Sequence, residues 1–284
     1  MLTQLDRVQL VVSDRNRAVV AFTQLLGAAL VRQDAVRALG ALRSVLRVGR
    51  SEVEILEPDG VGAVAEFLKQ TRGGLFAAGF TTADPAALRS HLAARGVEVA
   101  EAGGQLLLRS EALGVPGLRA VISAEAELEP AGLLDRLYEA TLLGSDWKRS
   151  AERIAEQLAL DSRSFVSIHS AEYGYEGVLT LFHPARLDRL EVVTPLDVAK
   201  TMGRFFERRG PSLYMCYAES NDTGALRARL SEYVPEHWTG PREGIVPDNL
   251  FVHPAALSGL LLGVSRRTFA WTWSGSPERV EPRR

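Results

Sequence analysis

Apolar and polar positions along the chain fall into one order four times. An apolar or alternating run comes first, then an aspartate, then an apolar repeat of helical period, then further alternating runs. "RVQLVV" predicts a strand, Asp14 stands where it can cap a helix through "RAVVAFTQLLG", and Gly27 ends that helix. "ALVRQ", "ALRSVLRVG" and "SEVEILEP" predict three more strands, the last closed by Pro58. A short linking helix, "GAVAEFLKQTRGG", leads into the second unit, where Asp84 caps "PAALRSHLAARG" between the strand "LFAAGFTT" and the strands "EVAEAG", "QLLLRS" and "GLRAVIS". The third unit reads "LYEATLL", the helix "DWKRSAERIAEQLAL", then "SFVSIHS", "YEGVLTLFH" and "RLEVVTP". A second linking helix, "DVAKTMGRFFERRGP", precedes the fourth: "LYMCYAE", "GALRARLSEY", "NLFVHP" and "GLLLGVS".

The unit ends carry the repeat most clearly. "EVEILEP" and "RLEVVTP" place Glu54 over Glu191 and Pro58 over Pro195, and "TRGG" at 71–74 falls over "RRGP" at 208–211. The stretch "AEAELEPAG", residues 124–132, is short, acidic and proline-containing, as a linker would be. The expected fold is α+β. Four strand–helix–three-strand modules pair into two domains, residues 1–123 and 133–273, and residues 274–284 form a tail.

Composition narrows the class of partner. With 46% hydrophobic and 24% charged residues in 284, the chain is an ordinary globular one. A net charge of −2 and the lack of a basic run give no field for nucleic acid or an anionic membrane, so neither is an expected partner. The lone Cys216 excludes an internal disulfide framework. No signal-peptide order and no bilayer-length apolar run occur, and the expected location is cytoplasmic.

This order and these turns resemble the vicinal oxygen chelate superfamily: the glyoxalase, bleomycin-resistance and extradiol-dioxygenase group. "SEVEILEP", the glycine pair before "LFAAGF" and "VHPAALSGLLLGV" look most like its methylmalonyl-CoA epimerase branch. The resemblance covers residues 3–266. It implies that each pair of modules curls into an open cup with a divalent metal (Fe, Mn, Co, Ni or Zn) on its floor. The ligands would come from first and last strands, and two open positions would take vicinal substrate oxygens.

Position by position, that ligand set is incomplete. The first-strand position seven residues before Asp14 is Arg7, and a guanidinium has no lone pair to give. Glu54 is retained, while the second module offers Ala77 and Val121. Arg7 is expected to replace the metal electrostatically and pair with Glu54, as a pseudo-site. In the second half, Glu139 and Glu191 hold the third module's two positions. The fourth offers Met215, or Tyr214 with a one-residue slip, and Gly263. His169 would complete a set with Glu139 and Glu191 if its strand turned it inward. Without metal, two converging carboxylates would raise one pKa and supply a base. Tyr214 and Tyr217 could donate to a developing oxyanion. The loop "EHWTGPREGIVPDN" is a candidate lid that brings Trp238 to the cup, and "RRTFAWTWSGSPERV" reads as an edge strand or dimer contact.

The expected function is therefore an enzyme of lyase, isomerase or dioxygenase type. It would act on a small carbonyl, acyl-thioester or aromatic substrate in the second cup. Catalysis would fall to Glu191, Glu139 and Tyr214, and substrate binding to His169, Tyr217 and Trp238. The alternative is a metal-free protein that sequesters a small molecule, and a homodimer is a candidate assembly in either case.

Overall fold

The computed structural model describes residues 1–283. The first module is β1 (Leu2–Val11), α1 (Arg15–Leu26), β2 (Ala29–Val36), β3 (Ala41–Val48) and β4 (Ser51–Pro58). After α2 (Ala63–Thr71) comes the second: β5 (Gly74–Thr82), α3 (Pro85–Ala94), β6 (Ala100–Ala102), β7 (Gln105–Leu108), the one-turn α4 (Ser110–Leu113) and β8 (Ala120–Ala124). The third holds β9 (Arg136–Leu143), α5 (Trp147–Leu158), β10 (Val166–Ser170), β11 (Tyr175–Leu181) and β12 (Arg189–Pro195). After α6 (Thr201–Arg209) the fourth holds β13 (Ser212–Ser220), α7 (Thr223–Tyr233), the two-residue β14 (Trp238–Thr239), β15 (Asn249–Val252) and β16 (Leu262–Arg266). Helix α4 and strand β14 carry no periodic signal of their own.

Each helix that follows a first strand starts the same way. Asp14, Asp84, Asp146 and Asp222 accept from the backbone N–H three residues on, at 2.8–3.0 Å. This satisfies one of the donors that a helix start leaves free.

Strands join into two eight-stranded sheets of identical order, β2-β3-β4-β1-β5-β8-β7-β6 and β10-β11-β12-β9-β13-β16-β15-β14. In both, first and last strands of a module run parallel, and the two first strands meet antiparallel at the sheet centre. The outer faces, the helices on them and residues of both halves share one core, from Leu5, Val8 and Phe22 to Leu142, Leu226 and Val264. The concave faces therefore look away from each other. The first cup is filled at one end by Val64 and Phe67 of α2, against Val11, Leu56 and Phe76. The second carries Met202, Phe205 and Phe206 of α6 in the matching place, against Leu143 and Val193. Among the described residues no helix is long and apolar enough to cross a membrane.

Candidate functional site

Equivalent floor positions of the two cups follow from the register. Arg7 on β1 lies beside Glu52 of β4, and Glu139 on β9 lies beside Arg189 of β12. The same cross-strand pair is thus present in both halves with its charges exchanged. Two residues further along each last strand stand Glu54 and Glu191, and two further along each first strand Gln9 and Thr141.

In the first cup the charged groups on the floor are paired with one another, and Gln9 Oε1 is a buried oxygen there without a partner among the described residues. Arg7 Nη1 donates to Glu54 Oε1 at 3.2 Å, and Nη2 to Asp6 at 2.5 Å and to Ser123 at 2.8 Å. Glu54, fully buried, also accepts from Gln9 (2.8 Å), Arg43 (3.2 Å) and Gln105 (2.7 Å). Burial alone would raise the pKa of Glu54, but Arg43 and Arg7, with the two amides, hold it below the ordinary value. Four donors occupy its two oxygens, so no lone pair points at a free site. Gly79, opposite Arg7, provides the room: a Cβ there would fall 1.8 Å from Arg7 Cγ.

The second floor is differently balanced. Arg189 Nε donates to Glu139 Oε2 at 2.6 Å, and both side chains are buried. Glu191 is left with the hydroxyl of Thr141, at 2.5 Å to Oε2. Burial first, and then the charge of Glu139, push the Glu191 pKa up to about 8, against the opposing pull of Thr141, Arg189 and Tyr175. Glu191 is therefore mostly protonated at neutral pH. Around it the cup is aromatic. Tyr217 lies beside Tyr138 (5.9 Å between rings), Phe251 (5.7 Å) and Trp273 (6.2 Å), while Tyr214 meets Phe205 edge-on at 4.9 Å. Burial raises the pKa of Tyr175, Tyr214 and Tyr217, which keeps all three phenols as donors.

Of the residues proposed from sequence, Glu139, Glu191, Tyr214 and Tyr217 reach this cup, and Arg7 and Glu54 meet on the first floor. His169 does not reach it. It pairs with Glu176 on the outer face of the sheet, where Trp147 Nε1 donates to Glu176, while its neighbour Ile168 faces the cup aromatics. The pleat decides this, because a one-residue offset reverses the face. Trp238 is also displaced from its expected place: it is buried in the shared core. The loop after it folds over α7 through Thr223 and Arg227, so it does not cover the cup. The tail is neither edge strand nor free. Residues Phe269–Trp273 form a 3-10 turn whose Ala270 and Trp271 pack on Tyr138 and Leu187, closing the cup end where Arg189 and Glu139 lie.

A divalent ion of the kind the resemblance implies does not fit these residues. Glu139 is paired to Arg189, His169 faces outward, and no group of three His, Cys, Asp or Glu with metal-holding geometry occurs among the described residues. Arg189, Thr141, Tyr175 and Tyr138 were missed from sequence. The signal for Arg189 was present in the alignment that stacks Glu54 on Glu191, since it also stacks Glu52 on Arg189.

Comparison with protein-family models and with curated proteins gives no match. Solved structures do match. A triply substituted variant of 4-hydroxymandelate synthase from Streptomyces coelicolor superposes with a TM-score of 0.72 at 13% identity, over 98% of this chain and 99% of that one. A xylose isomerase-like TIM barrel/4-hydroxyphenylpyruvate dioxygenase fusion protein gives 0.65 at 10% identity, over 94% of this chain and 49% of that one. Methylmalonyl-CoA epimerase from Mycobacterium tuberculosis, 19% identical, covers 47% of this chain and 89% of that one, with a TM-score of 0.38. At these identities the likeness to the first two is one of fold: the chain has the two-cup vicinal oxygen chelate architecture.

Proposed function

We propose that the second cup is the working site of a lyase- or isomerase-type enzyme, with Glu191 as its proton-transfer group and a small carbonyl or acyl-thioester compound as substrate. The carrying observation is the buried Glu191 carboxyl with a pKa of about 8 on an aromatic-lined floor. A group that titrates near the working pH can both give and take a proton in the transition state, which contributes roughly 10²–10⁴ in rate. Thr141 holds Oε2, which leaves Oε1 for the substrate or the Tyr175 hydroxyl. Tyr175 and Tyr217, protonated throughout the neutral range, would donate to the oxygen on which charge develops. The ion pair of Glu139 with Arg189 makes Glu139 a positioning and field-setting residue, because a permanent cation engages its Oε2 and favours its ionised form. The dioxygenase form of the expectation needs a metal donor set, and these residues do not supply one.

The test is isotope exchange. Purified protein in D2O is incubated with a panel of 2-oxo acids, acyl thioesters and aryl ketones, and deuterium uptake next to the carbonyl is followed by NMR. The expected result is uptake by at least one compound, slowed by about 10²-fold or more in Glu191→Gln. Compounds that bind without exchange in either protein would instead support the sequestering alternative and overturn this reading.

A further inference from the structure

Away from both cup floors, the two halves enclose a cleft of about 460 Å³. One wall is α2, the start of β5 and the turn before β8, and the other is the junction of α6 and β13. The halves are locked together here. Gly117 presses against the backbone of Pro211 and Ser212 so closely that a Cβ would lie 2.4 Å from Pro211 C.

Two arginines face this cleft, one from each half. Arg119 places its guanidinium over Phe76 (4.9 Å to the ring centre) and Phe67 (5.6 Å), half-buried, and makes no side-chain hydrogen bond or ion pair among the described residues. Arg209, the last residue of α6, reaches across to donate Nη2 to the carbonyls of Thr71 (2.9 Å) and Gly73 (2.6 Å). No carboxylate pairs with it among the described residues, and Arg208 beside it adds like charge. Glu111 is the acidic residue of the wall, and it stays exposed on the rim without forming an ion pair to either guanidinium. Burial lowers the pKa of both arginines, as expected where a cation loses water and gains no full counter-charge.

Elsewhere in this chain buried arginines are matched: Arg7, Arg43, Arg136 and Arg189 each hold a carboxylate. An unmatched pair in a fixed cleft is costly unless something compensates it. Guanidinium forks recognise planar or tetrahedral oxyanions by paired N–H donors. Leu75, Phe76 and Leu213 supply an apolar wall beside them. We propose that this cleft binds a small organic anion, a carboxylate or a phosphate monoester, with its charged end between Arg119 and Arg209 and its apolar part on that wall, so that the ligand bridges the two halves.

The test is calorimetric titration of the full chain with benzoate, phenyl phosphate and inorganic phosphate, at constant ionic strength against chloride. Benzoate and phenyl phosphate distinguish the two oxyanions, and inorganic phosphate tests the need for the apolar part. Saturable one-to-one binding is expected for at least one organic probe, with Kd raised about tenfold or more in Arg119→Met and retained in Glu191→Gln. Methionine preserves contact with the two phenylalanines, so lost binding reports the charge. Should Arg119→Met not fold, phenylglyoxal labelling of Arg119 in the unaltered protein, read by mass spectrometry, is expected to slow in proportion to probe occupancy. No saturable binding, equal binding by Arg119→Met, or labelling that the probes do not slow would overturn the proposal. Because Glu191 is not among the residues that line this cleft, loss of the isotope-exchange activity leaves this result unaffected.

Discussion

Glu54 and Glu191 occupy equivalent places on β4 and β12, yet one is held ionised and the other protonated. The difference comes from their neighbours. Glu54 faces two arginines and two amides, whereas the arginine on the second floor is turned to Glu139 and leaves Glu191 one hydroxyl. The consequence for stability has opposite signs. Glu54, with a lowered pKa, stabilises the fold above the unfolded carboxylate value, and that contribution fades as pH falls through its folded value. Glu191 keeps its proton in the folded chain between about 4.5 and about 8, where the unfolded chain has lost it, so stability falls as pH rises across that window and levels above it. Glu191→Gln removes the titration. The variant should match the parent near pH 4 and exceed it at pH 9 by on the order of 5 kcal/mol, measured by urea unfolding at each pH. An identical pH slope in both proteins would show that Glu191 is ionised in the fold. At this scale the pairing of Arg7 with Glu54 was legible because both positions follow from repeat spacing. The role of Arg189 was not, since it depends on which of two adjacent carboxylates a guanidinium selects.

A β-bulge explains why element-level reading captured the strands and lost some of their side chains. On β1 the ladder skips Asp6 between Leu5 and Arg7, and opposite β13 it skips Tyr138 between Leu137 and Glu139. The extra residue lets two consecutive side chains turn toward the cup, Asp6 with Arg7 and Tyr138 with Glu139. Strict alternation would send Asp6 and Tyr138 to the core face, and no residue type in the sequence announces the skip. Glycine does announce the complementary feature. Gly263 stands where the resemblance leads one to expect a ligand, and a Cβ there would fall 2.2 Å from Tyr217 Cε1. The position therefore serves as the bed on which the Tyr217 ring lies. Gly263→Ala should displace that ring and cost about 1–3 kcal/mol, read as a lower urea midpoint at unchanged m-value. A neutral substitution would mean that Tyr217 has room to move and does not define the cup wall.

Across the whole molecule, two copies of one architecture have diverged in what fills them. The first cup is packed by α2 at one end and by a closed ionic network at the other, while the second keeps half-buried tyrosines, Phe205 and Phe206 around a protonated carboxyl. Their independence is limited by the shared core. Beyond apolar contact, the backbone N–H of Leu5 donates to the buried Asp188 (3.1 Å), that of Leu137 to Ser51 (2.8 Å), and Phe80 meets Phe182 edge-on at 5.5 Å. Separating the halves would expose both outer faces and strand Asp188 with only Arg136 for company. A sequence-level boundary at a proline-containing linker suggests two separable bodies, because burial between distant segments leaves no local mark on composition. All four tryptophans, Trp147, Trp238, Trp271 and Trp273, lie in the second half, so their fluorescence reports that half alone, whereas far-UV circular dichroism reports both. Denaturant unfolding followed by the two signals should give coincident transitions with one midpoint. If the first half unfolded on its own, the dichroism would change over a range of denaturant in which tryptophan emission stays native, and the outer faces would not be one core.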